Sequence, residues 1–500
     1  MLNNELWQKP GAAAGGAGFY TYQIANSCRF DGSTSKLTKT WGSVGTDDNK
    51  KGISVWIKRT NNEFGSVTDQ KFFSSASPDL NAIWFDHYWN ADSFGMVLSN
   101  GGVGGFTNAK FRDPSAWIHV VYIYNSDEST ATDRIKVYFN GVYRNLTDSG
   151  GQGGSPVAGT FWNLDGAGSV LYPGSGVNCG YGKNGNANHI GNYQNADNNW
   201  FYGQMADFIM IDGAAVIGDF GEFKNGVWIP KDPSGLTFGN NGFHLDFADS
   251  TAFGNDVSGN NHDWTVAGIV ASDQLLDSPT FGSEGSANFA TLGPLWKTPD
   301  MTFSEGNLKW STSTNQRGVM SNWSVPLEGK FYWEYIPTAW GGSAGDDQWC
   351  GVNQSTIDFT ASRGGKVTGY SYGANVGNKQ ILGAETSYGD AWTTNDKIGV
   401  AVDRVNDTIQ FYKNNSGQGT FAISATADLF PWIGSGGGSN AASGTFNFGA
   451  DGTFAGLVTA GGNADENGYG NFFYAPPSGF LALCAANLPT ADAVDPAQTD

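Results

Sequence analysis

Apolar and polar residues alternate with a period of two through much of this chain, most cleanly at residues 396–415, DKIGVAVDRVNDTIQFYKNN. Ile398, Val400 and Val402 fall at i, i+2 and i+4, so they point to one face of a pleated sheet, and Ile409 and Phe411 do the same in a second strand. Between them Arg404, Val405, Asn406 and Asp407 supply the Asn and Asp that turns favour, which predicts an antiparallel hairpin with one buried face. Lys413, Asn414 and Asn415 predict a further turn. Upstream, residues 329–335 (GKFYWEY) alternate in the same way and residues 349–352 (WCGV) predict a short buried strand; residues 430–433 (FPWI) and 446–449 (FNFG) follow downstream.

The N-terminal half has a strand set of its own. Ile53, Val55 and Ile57 alternate in GISVWIKR, and residues 117–124 (WIHVVYIY) and 134–139 (RIKVYF) give longer runs. The second of these ends in Asn140-Gly141, the strongest short-range hairpin signal. Residues 189–192 (HIGN) and 200–212 (WFYGQMADFIMID) predict two more strands, and FHLDF at 243–247 a last one before an Asp/Gly/Asn loop. Helical periodicity over ten or more residues is nearly absent. The pattern predicts an all-β chain of two tandem antiparallel β-sandwiches.

Composition fits that picture. The 500 residues leave room for two to four domains. With 72 glycines, 14 % aromatic and only 15 % charged residues, the chain reads as many short strands joined by tight turns. Lys+Arg 27 against Asp+Glu 47 gives a formal charge of −20, which repels nucleic acid and anionic lipid. Cys28, Cys179, Cys350 and Cys484 lie far apart with no CxxC pair, so buried free thiols are expected rather than a zinc ribbon or a disulfide scaffold. No apolar run approaches the ~18 residues that span a bilayer, and the N-terminus MLNNELWQKPG lacks a signal-peptide core. No membrane insertion is expected, and synthesis in the cytoplasm of a host is.

The C-terminal blocks, taken in order, carry a family likeness. GKFYWEY, WCGV, a Tyr/Gly-rich stretch at 369–372, DKIGVAVD, FYKN and FNFG resemble the SPRY domain over roughly residues 308–483. The resemblance implies a bent antiparallel sandwich that binds protein or peptide through its loops, without catalysis. In the N-terminal half the order FDG (30–32), SVWIKR, WIHVVYIYN, VYFNG, HIGNY and FYGQMADFIMIDG is similar to laminin-G-like or concanavalin A-like lectin domains, a jelly-roll sandwich. The combination resembles tailed-phage virion proteins in which a lectin-like module precedes a SPRY-like one. The expected layout is an attachment segment at 1–18, a lectin-like sandwich at 19–266, an inter-domain linker at 267–306, a SPRY-like sandwich at 307–484 and a tail or linker at 485–500.

Signals for catalysis are weak throughout. The ExDxxE strand of concanavalin-like glucanases has no counterpart, and no Glu cluster supplies the two carboxyl groups ~5–5.5 Å apart that retaining glycosidases use. The GxSxG strings at 341–345 and 369–373 and the GxGxxG string at 180–185 lack the following helix that would make them a nucleophile elbow or a dinucleotide loop. His87, His119, His189, His244 and His262 are dispersed and form no HExxH. Calcium stays open, because Asp246, Asp249, Asp256 and Asp263 share one Gly/Asn-rich segment without EF-hand spacing. Asp-rich turns read equally well as hydrogen-bonded caps.

For binding, aromatic residues beside polar loops are the relevant signal, since sugar rings and peptides both use aromatic faces. Trp84, His87, Tyr88 and Trp89 form the densest such cluster in the first half. Trp340, Asp346, Asp347 and Trp349 follow the opening strand of the second, with Trp392 near another loop. As core aromatics of a sandwich these residues would carry no function. The overall expectation is a non-enzymatic phage tail fibre or receptor-binding protein, located on the virion, that contacts other virion proteins and a host-surface glycan or protein. Self-association is expected, with a trimer as the family-level form. A capsid decoration or head-fibre protein, and a polysaccharide-degrading tailspike, are the alternatives.

Overall fold

The computed structural model describes residues 19–60, 69–76, 81–86, 93–98, 103–107, 109–144, 172–193, 199–282, 285–314, 316–340, 348–359, 368–435 and 441–489. Among them the secondary structure is β throughout, with only three-residue 3-10 turns besides. No helix among them is long and apolar enough to cross a membrane. The chain divides into two compact units, Thr21–Leu275 and Leu276–Asp500, the latter joined by Met1–Tyr20.

In the first unit an eight-stranded sheet runs in the order Val142–Arg144, Ile135–Phe139, Trp117–Asn125, Lys50–Arg59, Tyr202–Asp212, Ser27–Asp31 and Gln274–Leu275, with Phe243–Leu245 also paired to Tyr202–Asp212. A seven-stranded sheet runs Thr265–Ala267, Lys36–Thr40, Ala187–Ile190, Gln70–Ser75, Asn81–Asp86, Ser93–Leu98 and Val103–Phe106. Every pairing within these two sheets is antiparallel. Alternate residues face inward: Ile53, Val55 and Ile57 from one sheet and Ile83, Phe85, Phe94 and Met96 from the other share one buried core. Packing of one apolar face per sheet is what makes the pair a sandwich.

A buried ion pair holds the rim of this unit. The carboxylate of fully buried Asp212 accepts the Lys51 ammonium and the backbone N–H groups of Thr46 (2.6 Å) and Asn241 (2.9 Å), so one side chain ties two loops to the end of a central strand.

The second unit repeats the architecture. One sheet runs Leu292–Lys297, Gly318–Ser321, Leu429–Ser435, Gln348–Gln354, Gly369–Gly373, Asn378–Ile381 and Ala384–Ser387. The other runs Met301–Ser304, Lys309–Thr312, Ala442–Asn447, Lys330–Trp340, Ile398–Asp403, Thr408–Lys413 and Ser416–Ala422, with Leu481–Ala482 lying parallel to Lys330–Trp340. The hairpin falls where the alternation places it: Val400 pairs with Phe411 and Val402 with Ile409, all fully buried. Asp403 fixes its turn by accepting the N–H groups of Val405 (2.9 Å) and Asn406 (3.0 Å). Asn414 and Asn415, with φ of 46° and 68°, make the next turn, a left-handed geometry that Asn tolerates.

The stretch 267–306, expected to be a linker, is built into the two units. Gln274–Leu275 pairs with Ser27–Asp31 in the first, and Leu292–Lys297 and Met301–Ser304 are edge strands of the second. Pro, Gly and Ser interrupt the alternation there because these are short, irregular edge strands, not because the chain lacks structure. The start of the chain differs as well. Tyr20 packs edge-on to Phe281 (5.1 Å, 84°) within the second unit, so the first unit is inserted after Tyr20. Its two ends lie side by side, with Ser27 opposite Leu275.

Two outcomes follow. Because both ends of the insert belong to neighbouring strands, segment 21–275 made alone should unfold in one cooperative thermal transition with a β-type circular dichroism spectrum; a non-cooperative melt would contradict the division. Asp212→Ala, which takes the buried carboxylate from the Lys51 ammonium, leaving it the Asp47 carbonyl (3.0 Å) and Asp48 (3.4 Å), and removes the acceptor of two backbone donors, should cost about 3–5 kcal/mol in chemical denaturation of that segment.

Candidate functional site

Three of the tryptophans proposed for binding, Trp84, Trp349 and Trp392, lie inside the protein. Trp349 is 0 %, Trp392 1 % and Trp84 4 % exposed, so none offers a ring face to a ligand. Trp392 belongs to the core of the second unit, against Tyr335 and Tyr372. The loop position read from its polar neighbours is real, but its side chain turns inward. Trp340 ends its strand, paired with Ala442. His87, Tyr88, Trp89, Asp346 and Asp347 lie outside the described residues.

Trp84 and Trp349 nevertheless mark two surfaces, because each projects from the outer side of its sheet. Trp84 sits opposite Gly95, and a Cβ there would come within 2.5 Å of the indole, so the ring lies flat across the neighbouring strand. The Lys71 ammonium stands 4.9 Å from its ring centre and 4.9 Å from that of Tyr193, while pairing with Asp69 at 3.0 Å. Beside it Trp200, bridged through its backbone to Lys71, faces the Lys36 ammonium at 5.5 Å. Tyr193 and Trp200 are half-buried, so this aromatic and ammonium array has accessible ring surface even though Trp84 does not.

In the second unit Trp349 lies across Gly373, where a Cβ would be 2.9 Å from the ring, and packs with Met320 and Trp432 into a fully buried layer outside the sheet. Half-buried Ile357, Phe359 and Phe430 cover that layer. At the sheet edge Trp296, 47 % exposed, stacks on Phe430 with ring centres 6.5 Å apart and 21° between planes. Leu295 beside it is equally exposed, and the ladder of this strand is irregular between Leu292 and Lys297. The edge therefore carries a solvent-facing indole beside an exposed Leu295. Sequence reading missed Trp296 because Pro294 and the surrounding Gly and Ser looked like linker; the run Leu295-Trp296 was the available signal.

Buried titratable groups perform structural work. His119 is sandwiched by Trp56 (4.4 Å, 4°), receives the Trp228 indole N–H on Nδ1 (2.8 Å) and contacts Ser54 Oγ through Nε2 (2.7 Å). Since the indole can only donate, Nδ1 is the acceptor and the ring proton is on Nε2. Burial pushes its pKa down to about 3. For His244 burial works downward, but the Asp207 carboxylate at 2.6 Å outweighs it and holds the imidazole above its ordinary range. The Tyr22 hydroxyl donates to the same carboxylate at 2.9 Å.

Glu334, 1 % exposed, spreads its two oxygens over four donors: the N–H groups of Phe473 and Tyr474 (both 2.8 Å), Asn447 Nδ2 (3.2 Å) and the Tyr332 hydroxyl (3.2 Å). Burial raises it to about 7 against the pull of those donors.

In the loop singled out for calcium, the carboxylates cap turns. Asp256 accepts the N–H groups of His244, Ser258 and His262, Asp263 accepts that of Asp256, and Asp246 and Asp249 accept those of Ala248 and Thr251. Among the described residues no three His, Cys, Asp or Glu side chains are grouped to hold an ion. The four cysteines are buried free thiols.

With this geometry in place, comparison with known proteins identifies one domain. Residues 330–451 match the family model described as "SPRY domain", which lies wholly within the second unit. No curated protein matches the chain. Solved structures similar to it include the SPRY domain of human HERC1 (20 % identity, 32 % of this chain and 97 % of that one, TM-score 0.28). The TRIM65 PSpry domain (14 % identity, 32 % and 91 %, TM-score 0.24) is another. A third, stonustoxin (18 % identity, TM-score 0.26), is matched over 32 % of this chain and 27 % of its own length.

His119 has a checkable consequence. Its folded pKa lies below the ordinary 6.5, so it contributes stability that is present above pH 6.5 and lost as pH falls from 6.5 toward 3, at about 1.4 kcal/mol per pH unit. Ring nitrogen NMR shifts should therefore stay those of the neutral Nε2–H tautomer from pH 8 to pH 5; a midpoint near 6.5 would contradict the buried arrangement.

Proposed function

We propose that the chain is a non-enzymatic recognition protein of a tailed-phage particle, a tail fibre or receptor-binding component. In this reading its SPRY domain contacts a protein or peptide, and its first unit, a lectin-like sandwich, contacts host-surface glycan. The observation that carries the reading is the exposed Trp296 stacked on Phe430 at the edge of the second unit's seven-stranded sheet. Exposing an indole to water is unfavourable unless a partner covers it, and aromatic anchors on rigid elements dominate binding energy. Half-buried Tyr193 and Trp200, the latter beneath the Lys36 ammonium, support the glycan contact: rings stack on a sugar and an ammonium group orients its oxygens. Placement on a virus particle is supported by the order of the two resemblances along the sequence. Self-association belongs to the same reading, since virion appendages are symmetric.

Binding of the purified chain to a glycan array and to bacterial cells, compared with Trp200→Ala and Trp296→Ala, tests it. Loss of glycan signal in Trp200→Ala, and at least a tenfold loss of cell binding in Trp296→Ala, are expected of hot-spot aromatics. Unchanged binding in both folded variants would remove these surfaces. Release of reducing ends from host polysaccharide would replace adhesion with depolymerisation.

A further inference from the structure

Lys51 and Asp212 stand opposite each other on neighbouring strands, and both side chains are fully buried. Each lies on the inward-facing row of its strand, with Ile53 and Met210, so the pair closes one end of the sandwich core. Tyr124, in register with Lys51 on its other side and also buried, adds an aromatic ring to the same face. The ammonium touches Asp212 Oδ1 and has two further partners, the Asp47 carbonyl (3.0 Å) and Asp48 Oδ1 (3.4 Å). Asp212 Oδ2 accepts the Thr46 and Asn241 N–H groups at 2.6 and 2.9 Å. The loop that carries Asp48 passes close to both carboxyl groups, since a Cβ on Gly45 would lie 2.8 Å from Asp48 Oδ1 and 3.1 Å from Asp212 Oδ1.

We propose that Lys51 and Asp212 join through an intramolecular isopeptide bond, Nζ to Cγ, formed by the folded chain without another reactant. The parts that amide formation uses are in place: a nitrogen held against a carboxyl group, two N–H donors on the oxygen that takes up charge, and a second carboxylate beside the nitrogen. A proton passes from the Lys51 ammonium to Asp212 Oδ1, which leaves an amine and a carboxylic acid. The amine lone pair attacks Cγ, and the charge that gathers on Oδ2 meets the Thr46 and Asn241 N–H groups. Asp48 takes a proton from Nζ and hands it to Oδ1, the Cγ–Oδ1 bond breaks, and Oδ1 departs as water. One C–N bond replaces one C–O bond, one water leaves, and nothing is oxidised or reduced.

Burial favours the product. The ion pair keeps two charges out of water, where each is costly to hold, and the amide removes both. The Asp48 side chain is 22 % exposed, so the released water has an exit on that side, while Lys51 and Asp212 stay closed to the solvent that would hydrolyse the link. A competing dehydration, closure of the Asp212 carboxyl onto the Gly213 nitrogen, is opposed by the bond from the Gly213 N–H to the Lys50 carbonyl (3.1 Å).

Intact mass and peptide mapping of the denatured full chain test the bond. The chain should weigh one water less than its sequence, trypsin should not cut after Lys51, and one branched peptide should contain both Lys51 and Asp212. Full mass with the two residues in separate peptides overturns the proposal, and this readout needs no variant to fold. Lys51→Arg should restore the full mass; a deficit that persists there, from closure of Asp212 onto Gly213, overturns the assignment to Lys51. Asp48→Asn should slow linkage roughly a hundredfold, followed as the linked fraction with time after synthesis, and an unchanged rate overturns the proton transfer through Asp48.

Discussion

An aromatic ring laid flat across a neighbouring strand needs a position without a side chain beneath it, and both units are organised around that constraint. Trp84 lies on Gly95 and Trp349 on Gly373, each pair in direct register. Tyr332 over Gly399, Tyr335 over Gly444 and Trp228 over Gly141 repeat the device on diagonal or adjoining strands. A glycine in a strand interior normally weakens the sheet, and the ring restores what the missing side chain would have buried. The abundance of glycine and of aromatic residues is therefore one property of the chain rather than two. It also lets the outer sides of the sheets carry large rings that are still buried, which thickens each sandwich beyond a single core.

That thickening explains what the polar groups do. With both sides of a sheet covered, side chains such as Asp212, Glu334 and His119 leave water although they sit near loops, and each must find its full set of partners inside. Carboxylates meet this demand by collecting backbone N–H groups from turns that otherwise have no ladder to join. Asp212 gathers two loops, Asp256 three amides and Glu334 the amides of Phe473 and Tyr474. The many Asp residues in Gly- and Asn-rich segments thus act as organisers of irregular backbone.

Much of the fold was legible from alternation, because inward and outward residues differ in polarity along the inner strands. The hairpin at 396–415, the opening strand of the SPRY domain and the central strands Lys50–Arg59 and Trp117–Asn125 all lie where the period of two places them. Edge strands escaped it: Leu292–Lys297 pairs on one side only, contains a proline and bulges, so its sequence looks like linker. The candidate surfaces were legible in residue type but not in depth. Trp84 and Trp349 occupy outward positions, yet whether an outward ring is solvent-facing depends on what covers it, and that cover comes from segments distant in sequence, such as Ile357 and Phe430 over the Trp349 layer. The insertion of the first unit after Tyr20 left no compositional trace, since the packing of Tyr20 against Phe281 has no signature in the alternation.

The pairing of Ser27 with Leu275 has a mechanical meaning. The two ends of the first unit leave from the same end of adjacent antiparallel strands, one of which is only two residues long. A pull applied to those ends would load the ladder bonds one after another, as a zipper is opened, rather than all together in shear. Such a geometry yields at low force: under tension the strand Gln274–Leu275 would peel away first, giving slack before load reached the central strands.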